Sequence, residues 1–124
     1  MGTPRTSAPG DGVYSYAYAD TPVQGLYDHL AGVLKVNPTS GHVAYTMPAA
    51  LGSKDGELTL VHIGTANNVV LSRAGSDKFL CTGGTNGGDT TLIITGQYSA
   101  VVLRSDKSGF WVVVSKLGTV TPSS

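Results

Sequence analysis

TGQYSAVVLRSDKSGFWVVVS, residues 95–115, is the stretch that decides the fold class. Tyr98, Ala100, Val102 and Arg104 fall on one face of an extended chain, with Ser99, Val101 and Leu103 on the other. Phe110 to Val114 repeats the β-branched and aromatic bias. Between the two runs, Ser105-Asp106-Lys107-Ser108-Gly109 holds residues that bend a chain: Asp and Ser side chains bond their own backbone, and Gly permits positive φ. The segment reads as a β-hairpin.

Working outward, the same signs recur. VLKV at 33–36, the turn Asn37-Pro38-Thr39-Ser40-Gly41 and HVAYTM at 42–47 predict a second hairpin. Glu57 to Ile63 alternates Leu58, Leu60 and His62 against Thr59, Val61 and Ile63. Further strands are expected at Asn67 to Arg73, at Lys78 to Thr82, and at TLIIT, 91–95, with GGTNGGDT at 83–90 as a polar loop. Asp20-Thr21-Pro22 has the form of a helix start, and Val23 to Leu30 has room for two turns, although Gly25 and Gly32 weaken them. Seven or eight short strands without an exact internal repeat predict an all-β fold, an antiparallel β-sandwich or small barrel.

The N-terminal segment differs in character. Residues 1–12 are dominated by Gly, Pro, Ser and Thr and cannot bury enough apolar surface to offset their ordering entropy. Next come Tyr14, Tyr16 and Tyr18, which share one face if the chain is extended. Either this is the first strand of the domain with its tyrosines on the core, or it is an extended arm whose tyrosines anchor a partner. The expected organisation is a docking arm over residues 1–30, a β-domain over 31–118 and a flexible tail over 119–124.

Composition narrows the function. The 124 residues suit one domain. Charged residues make up 13% of the chain, against about 25% in an average soluble domain. Eight basic and eight acidic residues cancel, which gives no electrostatic reason to expect nucleic acid or an anionic membrane as partner. Weak self-repulsion favours assembly. No apolar run approaches the roughly 20 residues of a membrane span, and the N-terminus lacks a signal-peptide core, so a soluble protein is expected. The lone Cys81 rules out an internal disulfide and is expected at a buried or half-buried strand end.

Signs of chemistry are weak. Gly83 to Gly88 lacks the Gly-Lys-Ser/Thr ending of a phosphate loop. His29, His42 and His62 have no metal-ligand spacing, and His62 alternates with core positions. Asp55, Glu57, Asp77 and Asp89 match no calcium loop, and no Gly-x-Ser-x-Gly elbow accompanies the Ser, His and Asp residues. No catalytic residue, metal or cofactor is expected. Trp111 is either a core plug or an exposed platform for sugar stacking, and its place before Val112-Val113-Val114 favours the core.

Three segments together resemble a known pattern. GQYSAVVLRSDKSGFWVVVS resembles the "SDG-x-x-W-x-V-V-S" segment that closes many small β-domains of bacteriophage structural proteins. HVAYTMPAA, 42–50, resembles their "LPAA" strand and turn, with Met47 in place of Leu, and DGELTLVHIGTANNVVLSRAGSDKFLCTGG resembles the middle of the pattern. Asp106-Lys107-Ser108-Gly109 departs from the usual Asp-Gly turn, and residues 1–30 match nothing in it. The resemblance implies a non-enzymatic virion protein, self-associated as a homotrimer. Brevity favours a capsid decoration or cement protein that binds the major capsid protein on the outer surface of the virion. The alternative is a tail-fibre or head-fibre tip that binds a host receptor or surface glycan, for example through loops 83–90 and 104–109.

Overall fold

A computed structural model describes residues 12–30, 32–50 and 56–124. Among the described residues nine strands form one sheet: β1 (Val13–Ala17), β2 (Val23–Gln24), β3 (Val33–Asn37), β4 (Val43–Thr46), β5 (Glu57–His62), β6 (Asn68–Ser72), β7 (Lys78–Leu80), β8 (Thr91–Ser105) and β9 (Phe110–Ser123). The sheet curls into a nearly closed, barrel-shaped body, as the strand pattern predicts.

The pairing is mixed rather than purely antiparallel. β1, β3 and β5 pair in parallel as one wall, and β2, β4 and β6 pair in parallel as a second. The chain therefore alternates between walls, and each β-turn-β unit stacks on the one before. The expected 33–47 hairpin does not form, because β3 and β4 lie in different walls and the Asn37–Gly41 turn is a corner between them. Interior side chains stack in rows across the register: Tyr14 beside Leu34, Leu34 beside Leu60, Leu60 beside Val101; and Val23 beside Tyr45, Tyr45 beside Leu71, Leu71 beside Leu92. Burying these rows is what makes a parallel stack of short strands stable, since each removes apolar surface from water on both sides of a ladder.

Corners are tied to one another by side chains. Thr21 Oγ1 accepts the Ala44 N–H (2.9 Å), His42 Nδ1 accepts the Asn68 N–H (2.9 Å), and Asn67 Nδ2 donates to the Pro38 and Thr39 carbonyls (3.0 and 3.1 Å). His62 lies fully buried on the interior face, as its alternation predicts. Its Nδ1 accepts the Gly64 N–H, which leaves Nε2 to donate to the Asn67 carbonyl at 2.9 Å.

β8 covers both walls. Residues 91–95 pair antiparallel with β6, and residues 100–104 pair antiparallel with β5. The change of wall occurs at 96–99, where four residues of β8 face Gly118 alone on β9. Gly96 (φ 92°), Tyr98 (φ 68°) and Gly118 (φ 75°) adopt the left-handed conformations this bulge requires. Ser99 closes it, donating to the Thr95 carbonyl (2.6 Å) and accepting the Thr119 N–H (3.2 Å). A side chain on Gly118 would run into the Ser99 hydroxyl. The predicted closing hairpin is thus present and longer than expected.

Three boundaries need correction. Residues 13–30 are not an arm outside the β-domain, because β1 pairs with β3 and Tyr14, Val23 and Leu30 belong to the core; residues 1–11 lie outside the described residues. Residues 119–123 continue β9, and Ser124 donates to Asp89 Oδ1 (2.7 Å), so the expected tail is part of the sheet. The helix expected at 23–30 is replaced by β2 and a short 3-10 turn at Tyr27–His29. Gly25 explains why: its N–H bonds the Thr46 carbonyl at 2.6 Å, and a Cβ there would lie 2.5–2.8 Å from Thr46 O, Pro48 and the Tyr45 hydroxyl.

Candidate docking surface

The tyrosine stripe divides. Tyr14 is buried, Tyr16 is half-buried, and Tyr18 is 49% exposed. Tyr14 and Tyr16 share the inner face of β1 as the period of a strand requires. Tyr18 begins a 3-10 turn at Tyr18–Asp20, and its ring lies over Gly41, where a Cβ would come within 2.6 Å of it. Of the three expected docking residues, Tyr18 is the most exposed.

Tyr14 and Tyr16 instead enclose His29, which is completely buried. Its Nε2 lies 2.9 Å from the Tyr16 hydroxyl, and its Nδ1 lies 2.7 Å from the Tyr45 hydroxyl and 3.3 Å from the Leu26 N–H. An amide N–H can only donate, so Nδ1 is an acceptor and Nε2 carries the proton, donated to Tyr16. The Tyr14 ring packs edge-on at 4.8 Å. Burial lowers the His29 pKa from 6.5 to about 4, against the opposing pull of the Asp28 carboxylate. Burial likewise pushes the Tyr16 and Tyr45 phenols up. The network is neutral and holds the first turn of the stack to the second. Nothing in the spacing of the histidines signals it; the only hint is that inward-facing tyrosines need hydroxyl partners.

The segments that carried the family resemblance meet in space. Trp111, fully buried as its position suggests, donates from Nε1 to the Pro48 carbonyl (3.1 Å). Ser105 Oγ donates to the Ala50 carbonyl (3.0 Å), and Asp77 Oδ2 accepts the Ala50 N–H (2.8 Å). The Met47-Pro48-Ala49-Ala50 turn is therefore fastened by the tryptophan and serine of the closing hairpin and the aspartate of the middle segment. Each of the three side chains satisfies a buried backbone group of the turn.

Other candidate residues are dispersed. Asp89 accepts the Thr85 N–H (2.9 Å) and the Ser124 hydroxyl, and these hydrogen bonds, Ser124 first, hold its carboxyl below the usual range. The Gly83–Gly88 loop thus turns about an anion of its own chain, an arrangement hostile to phosphate. Cys81 is half-buried just beyond β7, and burial raises its thiol pKa, which suppresses the thiolate. Loops 83–88 and 106–109 lie at opposite ends of β7, since Lys78 N–H bonds the Gly109 carbonyl and the chain reaches Gly83 only after Leu80. They do not form one loop cluster. No group of three or more metal-ligating side chains occurs among the described residues, and none of their helices is long and apolar enough to cross a membrane.

What the surface does offer is apolar. The large exposed hydrophobic residues are Val13, Tyr18, Leu26 and Tyr27 in the first turn of the stack, and Leu80, Tyr98, Val114 and Leu117 in β7, β8 and β9. The two sets lie at opposite ends of the strand order. Sequence reading missed this division because it depends on which strands end the stack. No family model and no curated protein matches the chain.

Proposed function

We propose that this chain is a non-enzymatic structural protein of a bacteriophage particle, a capsid decoration protein that binds the assembled shell and associates with itself. The observation that carries the reading is the fastening of Pro48 and Ala50 by Trp111, Ser105 and Asp77. It joins the three separated segments that resemble phage structural β-domains into one structural unit, which supports reading them together. The apolar residues exposed at both ends of the stack support a protein that functions in contact with others. A decoration protein acts by mass action: binding only the assembled lattice, it opposes disassembly by its binding free energy at each site.

The test is co-sedimentation of the purified protein with expanded capsids of the phage that encodes it. Saturable, stoichiometric binding and a higher temperature of capsid disruption are expected. Failure to bind at tens of micromolar protein would overturn the reading, and adsorption to host cells or to glycans in its place would move the protein to a fibre tip.

A further inference from the structure

The two ends of the strand stack are complementary. At one end, the outer edges of β1 and β2 have no ladder partner among the described residues. Around them stand Val13 (58% exposed), Tyr18, Leu26 and Tyr27. Residues 12–34 contain Asp20 and Asp28 and no Lys or Arg, and the buried His29 is neutral at pH 7. At the other end, β7 pairs with only residues 110–112 of β9, and beyond Val112 the outer edge of β9 has no ladder partner among the described residues. Leu80, Val114, Leu117 (67% exposed) and Tyr98 stand there. β7 and β9 carry Lys78 and Lys116 and no acidic residue, and the neighbouring Asp89 is buried on Thr85 and Ser124.

We infer that copies of this chain associate end to end, the open β1–β2 end of one packing on the β7–β9 end of the next. The inference rests on the self-associating reading given above and assigns its surfaces. Charge decides the arrangement: two β1–β2 ends would set Asp20 and Asp28 against their own copies, whereas a β1–β2 end on a β7–β9 end sets negative against positive. Each end also offers the other a strand edge that has no ladder partner among the described residues, beside apolar side chains. Because the contact joins two different surfaces, it is heterologous, and repetition gives a ring if the rotation closes and a filament if it does not.

The contact is small. A cross-section of about 20 Å by 20 Å, from strand length and sheet spacing, gives roughly 400 Å² per end. That is about half of what a standard stable interface uses per partner, so association should depend strongly on concentration.

The experiment is sedimentation velocity of the full chain from micromolar to millimolar concentration, with Val13→Lys to block one end and Leu117→Glu to block the other. Both positions are exposed, and circular dichroism with Trp111 fluorescence checks that each variant is folded. The wild type should self-associate, and each variant alone should associate at least about tenfold more weakly, since a single charge placed on an edge contact is effective against pairing. Mixed together, the two variants should form a one-to-one dimer through their remaining intact ends. A wild type that stays monomeric at millimolar concentration overturns the inference, while capsid co-sedimentation still stands as a separate test of function. Self-association undiminished in both variants also overturns it, placing the contact elsewhere without touching the self-associating reading.

Discussion

Acidification from pH 7 to pH 5 should destabilise this protein through His29 before Asp89 or Asp106 titrates. His29 is fully buried with Nδ1 facing the Tyr45 hydroxyl and the Leu26 N–H, and Nε2 facing the Tyr16 hydroxyl. A proton on Nδ1 would oppose the Leu26 N–H, and the resulting cation would sit without water. The titratable groups around it are Tyr14 and Tyr16 on β1, Tyr45 on β4 and its neighbour Asp28, of which Asp28 alone favours the cation. The folded-state pKa is about 4 against an ordinary 6.5. Between these values the unfolded chain binds the proton and the folded chain does not, so stability falls as pH falls. The loss works out to about 2 kcal/mol at pH 5 and about 3 kcal/mol at pH 4. Asp89 and Asp106 are held below 3.8, Asp106 by the Ser108 and Phe110 N–H groups, which outweigh desolvation. Their stabilisation is present above that value and lost only below it, outside the His29 window. Urea unfolding at pH 7, 6, 5 and 4.5, followed by Trp111 fluorescence, measures the effect, and His29→Gln should flatten it. Equal stability at pH 7 and 5 in the wild type, or the same slope in His29→Gln, would refute the reasoning.

Other perturbations test other joints. Trp111→Ala should cost about 3–5 kcal/mol by thermal or urea unfolding, because it opens a core cavity and leaves the Pro48 carbonyl without its donor. Ser105→Ala, which removes the donor to the Ala50 carbonyl and changes volume little, should cost about 1–2 kcal/mol in the same assay. Gly118→Ala should destabilise by more than about 1 kcal/mol, since it combines a positive φ with a collision with Ser99, whereas Gly75→Ala meets no neighbour and should cost only the backbone strain.

How much of this was legible in the sequence depends on the range of the interaction. The alternation of Leu58, Leu60 and His62 gave the inner face of β5 correctly, and the Ser105–Gly109 turn gave the closing hairpin, because both are decided by neighbours a few residues apart. The sense of pairing was not legible. The Asn37–Gly41 turn has the chemistry of a hairpin turn, and a corner between two walls uses the same residues. Its role is decided by whether Val33 finds a partner on β4 or on β5, a matter of side chains far along the chain. The stack shows no repeat in sequence because its turns differ in length: Val13 aligns with Val33, twenty residues on, but Val33 aligns with Thr59, twenty-six on. Tyr14 and Tyr16 were legible as one face of a strand, whereas their burial around His29 was not, since the partner Tyr45 comes from the opposite wall. The exposed ends are least legible of all, being defined only once the order of strands is known.

The most direct measurement is the position of the protein on the particle, by electron microscopy of virions labelled with gold-conjugated antibody against this chain. A decoration protein requires label distributed over the capsid surface. Label confined to the tail or its fibres would contradict the account.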